Sequence, residues 1–281
     1  MRISQSSSLE QLLACPEPEW SLGDAALLVA RDVEYPKLRV RSYQAELREL
    51  GAQLARTIPR GANVHYRLAA LNEHMFTTLG FAGAGDEYYD PRNSFLNEVM
   101  DRRVGIPITL SIIYLELGRH AGLELAGVSF PGHFLVKIAV DEGIAIIDPY
   151  HGGLSLDEVD LQRRLAVGMA GETGVSQSLP EALQDASRRE ILSRMLRNLK
   201  LIYLQQAKWE NALAVCNALV TTSEREPGEL RDRGLVLDQL ACPGAAASDL
   251  EAYLELAPNA DDADEIRNRL STLKDQAGPL N

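Results

Sequence analysis

Cysteine is scarce in this 281-residue chain. Cys15, Cys216 and Cys242 are odd in number, stand far apart and form no C-x-x-C pair, which argues against a disulfide framework or a thiolate zinc knuckle. Long apolar runs are missing too. The best candidates, Ile106 to Leu117 and Val136 to Ile147, are shorter than the roughly 18 residues of a membrane span and are broken by Glu116, or by Asp141 and Glu142. No membrane partner is expected. The N-terminal stretch has no basic cluster and no small-residue cleavage site, so secretion is not expected and a reducing cytoplasm is the expected location. Positive charge is the third shortage: 28 Lys and Arg against 40 Asp and Glu give −12. That balance repels a phosphate backbone, so nucleic acid is not an expected partner.

The charge is unevenly spread. From Ser223 to Glu265 twelve acids meet three arginines, whereas Arg188 to Lys208 carries six basic residues and one acid, Glu190. Two neighbouring solvated faces are the expected arrangement. Apolar residues are plentiful, at 46% of the chain, and their spacing is informative. Val40, Tyr43, Leu47, Leu50, Leu54 and Ile58 step by three or four, which predicts one helical stripe between Pro36 and Pro59. Ser21 precedes a second helix, Leu22 to Val33, and Asn63 a third that ends near Gly80. Asn93 or Ser94 is placed to cap a helix over Ser94 to Met100. Pro107 in a first turn and Gly122 just beyond the end bracket another. Phe134 to Val140 and Ile144 to Asp148, joined at Asp-Glu-Gly, read as a hairpin, with Leu125 to Phe130 as a third strand.

Beyond Arg194 the sequence repeats itself with an offset of 34 residues. Ala207 matches Ala241, Ala212 matches Ala246, Cys216 faces Leu250, and Leu219 faces Tyr253. That period, with small residues where paired helices touch and Pro258 as a closing proline, is the tetratricopeptide one. Ile266, Leu270 and Leu273 predict a capping helix over Asp264 to Leu273. Two repeats are fewer than the roughly three that stand alone, so they are expected to pack on what precedes them.

The centre of the chain carries four motifs, YYDPRNSFLNEV, GIPITLS, PGHFL and IDPYHGG. Together they resemble the transglutaminase-like core superfamily, and closely its bacterial branch with C-terminal tetratricopeptide repeats, often labelled an invasion-gene regulator. The resemblance implies an α+β fold in which a helical N-terminal segment (1–91) joins a transglutaminase-like core with a small antiparallel sheet (92–187). All-α repeats with a capping helix (188–281) follow. It also implies a catalytic pattern: a cysteine opening a helix in G-x-C, a histidine beginning the next strand, and an aspartate before proline. A helix N-terminus lowers a thiol pKa, histidine takes its proton, and aspartate orients the imidazole. His133 falls in the histidine position and Asp148, before Pro149, in the aspartate position.

The nucleophile position is occupied by Pro107, in Gly105-Ile106-Pro107, and a thiol mechanism is not expected. Thr109 and Ser111, two and four residues on, are candidate hydroxyl substitutes, although a helical hydroxyl more often bonds its own carbonyls. A metal reading uses His133, Asp148 and His151 with Glu98 as a fourth ligand, on permissive but unspecific spacing. The bland reading of His133 and Asp148 is a buried couple inherited from a catalytic ancestor. Asn93, Asn97, Glu98, Arg102 and Arg103 form either caps and ion pairs around the Gly105 loop or one wall of a cleft whose other wall holds His133, Tyr150 and His151. His65, His74 and His120 read as packing or surface residues. The sequence calls for no cofactor. It points to a non-catalytic cytoplasmic protein that takes a protein or peptide partner in the cleft or the repeat groove. The alternative is a hydrolase or transferase acting on amide bonds.

Overall fold

A computed structural model describes residues 8–169, 177–223 and 226–277. Two units divide the chain: Met1–Arg31 with Tyr35–Met195, and Asp32–Glu34 with Leu196–Asn281.

In the first unit, polar residues ahead of apolar runs start the helices. Ser8 and Gln11 exchange side-chain bonds across the first turn of α1 (Leu9–Leu13), a capping box. The Ser21 hydroxyl accepts the Asp24 N–H at the head of α2 (Leu22–Val33). Helix α3 (Val40–Thr57) buries Val40, Leu47, Leu50 and Leu54, as the stripe predicts. Gln44 lies on that stripe as well, held by its bond to Asp24 at 2.9 Å. Asn63 caps α4 (Val64–Asn72) through the Tyr66 N–H.

Two expectations are corrected in the stretch that follows. The helix after Asn63 does not run unchanged to Gly80, because Glu73–Thr78 widens into a π-helical turn. There His74 reaches the Leu50 carbonyl and Met75 is buried. Strand β1 (Ala82–Gly83) comes next, then a 3₁₀ turn over Pro91–Ser94, and α5 (Leu96–Arg102) begins two residues later than expected. Neither Asn93 nor Ser94 caps it. The Asn93 amide is committed to the Glu87 carbonyl at 2.6 Å and accepts from Arg102 at 3.0 Å, so Phe95 enters the helix without a side-chain cap.

Strand β2 (Val104–Gly105) pairs in parallel with β1. Helix α6 (Pro107–His120) follows, with proline in its first turn and Gly122 in the left-handed conformation just beyond its end. It is buried on nearly every side, the pattern of a central helix. The strands β3 (Ala126–Val128), β4 (Leu135–Val140), β5 (Gly143–Asp148) and β6 (Leu154–Leu156) form an antiparallel meander in the order 3-4-5-6. Val140 pairs with Gly143, so Asp141 and Glu142 alone form the hairpin loop. Helix α6 contacts β3 and β4. Val128, Leu135, Ile146 and Leu156 form a cluster with Leu161 and Leu165 of α7 (Glu158–Met169) and Ala182 of α8 (Leu179–Ala182). Helix α9 (Arg188–Gln205) then begins in a capping box of Ser187 and Glu190.

The second unit takes the rest of α9, α10 (Trp209–Thr222), α11 (Pro227–Gln239), α12 (Pro243–Leu256) and α13 (Ala263–Ala277). Its repeat is visible in the backbone. Ala207 (φ 51°) and Ala241 (φ 54°) are both left-handed. The N–H groups after them, of Lys208 and Cys242, reach back to Tyr203 and Leu237, the closing bond of a Schellman cap. Ala212, Ala246, Cys216 and Leu250 are fully buried.

The charged stretches are not two solvated faces. Lys200 bridges Glu229 at 2.6 Å and Asp232 at 2.5 Å, Arg197 joins Glu226 and Glu229, and Arg233 grips both oxygens of Asp249. Burial alone lowers the Lys200 pKa, but these carboxylates outweigh it and the ammonium is held above its ordinary value. In the first unit, Arg188, Arg189 and Arg194 are spent on the carbonyls of Glu17 and Trp20, of Leu13, and of Phe130 respectively. Folding engages five of the six basic residues of that segment.

Candidate functional site

The site grows out of the β4–β5 hairpin. Register pairs Val136 with Ile147, which brings His133, just before β4, to the end of β5 where Asp148 stands. A tight turn sets the histidine: Gly132 takes φ 67°, and the His133 N–H closes onto the Phe130 carbonyl at 3.1 Å. After Asp148 the chain enters a 3₁₀ turn over Pro149–His151, capped by Asp148 itself. Its Oδ1 accepts the N–H groups of Tyr150 (3.1 Å) and His151 (3.3 Å). Gly152 (φ 70°) and Gly153 (φ 77°) then turn the chain into β6, a pair of left-handed steps that favours glycine.

Asp148 is wholly buried and fully engaged. Its Oδ1 also faces His133 Nε2 at 2.9 Å, while Oδ2 faces His151 Nδ1 at 2.7 Å and accepts Arg164 Nη1 at 2.6 Å. Burial would push this carboxyl up. The bonds from His133, His151 and Arg164 more than reverse that, and it is held well below the usual carboxylate range. An ionised carboxylate only accepts, so the ring nitrogens facing it carry the hydrogens. Nδ1 of His133 and Nε2 of His151 are the nitrogens not bonded to the carboxylate. His133 is 16% exposed and His151 50%, so both imidazoles reach solvent from a dry anchor.

Tyr150 forms the adjoining wall. Its ring meets those of His133, His151 and Tyr88 edge-on at 6.0, 5.1 and 6.5 Å between centroids. Its hydroxyl accepts the Gly85 N–H at 3.1 Å, and its ring lies so close to Gly83 that a Cβ there would stand 2.7 Å from Cε2. Sequence reasoning did not anticipate Arg164, Tyr88 or the Gly83–Gly85 contact. Arg164 comes from α7, and no spacing in the chain ties it to Asp148.

The remaining candidates are placed elsewhere or otherwise occupied. The Thr109 hydroxyl donates to the Asn93 carbonyl at 2.8 Å and accepts the Ile106 N–H at 3.1 Å, inside the core. It ties the Pro91–Ser94 turn to the start of α6. Ser111 is fully buried and its hydroxyl has no hydrogen-bond partner, His133 included. Asn97 is buried, with Oδ1 also unpartnered. Arg102 joins Asn93. Arg103, left-handed at the end of α5, pairs with Glu46 at 3.2 Å and lies over the Phe81 ring at 4.7 Å. Glu98 acts electrostatically on Tyr43 and Arg92 and is not part of the His133, Asp148 and His151 cluster, which corrects its reading as a fourth metal ligand. Cys216 is buried, and burial pushes its thiol up to about 12. Of the other histidines, His74 is buried on Leu50, and His65 pairs with Glu142 at 3.0 Å.

A hairpin-borne histidine and aspartate beside a proline-led central helix, followed by paired helices, define a transglutaminase-like protein with tetratricopeptide repeats. Comparison with known proteins agrees. The family model described as transglutaminase-like superfamily matches residues 41–197, and a tetratricopeptide repeat model matches 199–271. The chain belongs to the transglutaminase-like superfamily. It is 40% identical to a UPF0162 protein of Xylella fastidiosa strain 9a5c, over 91% of this chain and 90% of that protein. A UPF0162 protein of Vibrio cholerae is 32% identical over 74% of this chain and 76% of its own length. Protein SirB1 of Salmonella typhimurium is 30% identical over 69% of this chain and 71% of its own. No solved structure matches the chain. No described helix is long and apolar enough to cross a membrane.

Proposed function

We propose that this protein is a non-catalytic member of its superfamily, a cytoplasmic interaction or regulatory module. It binds a protein or peptide through the cleft around His133, Tyr150 and His151 or through the repeat groove. The observation that carries this reading is the start of α6. Pro107 stands in its first turn, in the slot where the resemblance expects a cysteine, and proline offers neither a nucleophile nor an N–H for an oxyanion. Thr109 and Ser111 supply no replacement, since one hydroxyl is spent on Asn93 and Ile106 and the other is sealed in the core. An imidazole anchored to a carboxylate has a base to offer, yet a base without an acceptor of its help accelerates nothing.

The test compares the wild type with Pro107→Cys. The wild type is expected neither to incorporate an amine into a glutamine-containing peptide nor to hydrolyse amides. The variant is expected to gain a thiol whose pKa the helix N-terminus lowers and the burial of the position raises, read from the pH dependence of its alkylation by iodoacetamide. Wild-type activity that His133→Ala abolishes would overturn the proposal.

A further inference from the structure

Two imidazoles turned onto one buried carboxylate are more than a catalytic couple needs. In the pattern the resemblance implies, one histidine is oriented by one aspartate; here His151 joins from the other side of the same group. We propose that His133, Asp148 and His151 bind a divalent transition-metal ion, Zn²⁺ among the biological ones. The inference stands apart from the non-catalytic reading, since an ion is held there whether or not it does chemistry.

The donors meet the requirements of such a site. One ligand atom from each of the three residues lies within 4.8 Å of the others, and among the described residues they are the single group of this kind. Two imidazoles and one carboxylate suit zinc and its neighbours in the first transition row and are poor ligands for calcium or magnesium, which take oxygen. Tetrahedral zinc, with bonds of about 2.0–2.2 Å, sets its donors about 3.3 Å apart. The nitrogen-to-oxygen separations here are 2.9 Å from His133 to Oδ1 and 2.7 Å from His151 to Oδ2, and no two ligand atoms of the three residues are more than 4.8 Å apart. Both rings must therefore swing away from their hydrogen-bonded positions and converge on one point beside the carboxylate. On binding, each ring turns the lone pair of the nitrogen that faces Asp148 to the metal, with its hydrogen on the other ring nitrogen. His151, half exposed, provides the way in, and the Tyr150 ring closes one side. The opposing charge is Arg164, which shares Asp148 Oδ2 with His151. A guanidinium on the metal's own carboxylate weakens binding by repulsion, and this sets the sign of one test.

Calorimetric titration of the metal-free full chain with ZnCl₂, and of the same chain with CoCl₂ followed by its visible ligand-field spectrum, tests the proposal. The expected result is one ion per chain and a cobalt spectrum of nitrogen and oxygen ligation. His151→Ala is expected to weaken binding at least about tenfold. That variant keeps the His133, Asp148 and Arg164 contacts, and an unchanged thermal transition without metal shows that it is folded. Arg164→Gln is expected to tighten binding. No stoichiometric uptake by the wild type, or uptake that His133→Ala/His151→Ala leaves unchanged, would overturn it. Either failure leaves the Pro107→Cys experiment untouched, so the two proposals fall separately.

Discussion

Replacing Asp148 with Asn changes the site by one charge and almost no volume. The carboxylate accepts five hydrogen bonds, three on Oδ1 and two on Oδ2. An amide can keep the three on its oxygen, but its NH₂ then points at the Arg164 guanidinium and the His151 ring as donor against donor. Removing one member of a buried ion pair costs about 3–5 kcal/mol. Here the partners are partly in water, with Arg164 29% exposed, so about 2–3 kcal/mol is expected near neutral pH.

The pH dependence fixes the cause. The ordinary value for this carboxyl is 3.8, and the folded protein holds it lower: burial raises it, but the bonds from His133, His151 and Arg164 outweigh burial. A group depressed in this way contributes stability above its unfolded pKa and loses it as pH falls through the folded one. Between about pH 5 and about pH 3, below the ordinary histidine range, the unfolded chain takes up a proton that the folded chain does not. The wild type therefore loses about 1 kcal/mol that Asp148→Asn does not have to lose, and the gap between them narrows by that amount. Urea denaturation followed by Trp20, which is buried in the first unit, in a Trp209→Phe background measures both proteins at both pH values. A gap that stays constant, or one that widens in acid, would refute the reasoning.

Thr109→Val should cost about 1–3 kcal/mol by leaving the Ile106 N–H without its acceptor and the Asn93 carbonyl without its donor. Thr109→Ser should recover most of that in the same denaturation assay, as a structural hydroxyl requires. Ala207→Gly and Ala241→Gly should each stabilise the protein by up to about 1 kcal/mol, since both alanines sit at positive φ; a thermal melt that falls for either variant contradicts this.

The helices and the repeat were legible because their signals are local. Apolar residues stepping by three and four place α3, a proline and a glycine bracket α6, and a 34-residue offset returns in the left-handed alanines and buried pairs of the second unit. The charge pattern was misjudged for the opposite reason. Counting acids and bases by segment treats each stretch as facing water, whereas Arg197 and Lys200 meet Glu226, Glu229 and Asp232 from residues about thirty positions away. The π-helical turn at Glu73–Thr78 has no marker in composition.

The site divides along the same line. His133 and Asp148 were legible through the resemblance, which implies a histidine opening a strand and an aspartate before a proline, and the hairpin joined at Asp-Glu-Gly brings its two open ends together. His151 came with them, being three residues from Asp148 in a turn that Asp148 caps. The density of polar residues around α5 could not be decided in the same way. Polar side chains gather both where a ligand binds and where a loop has carbonyls and N–H groups that no strand or helix satisfies. The chain from Gly80 to Gly105 is a succession of short pieces, two-residue strands, 3₁₀ turns and the seven-residue α5, and Asn93, Arg102, Arg103 and Thr109 are used to hold it: to the Glu87 carbonyl, to Glu46, and to the head of α6. Those braces place Gly83 and Gly85 against Tyr150, and Tyr150 against both histidines. The polar motif thus bears on the site through the position of one tyrosine ring.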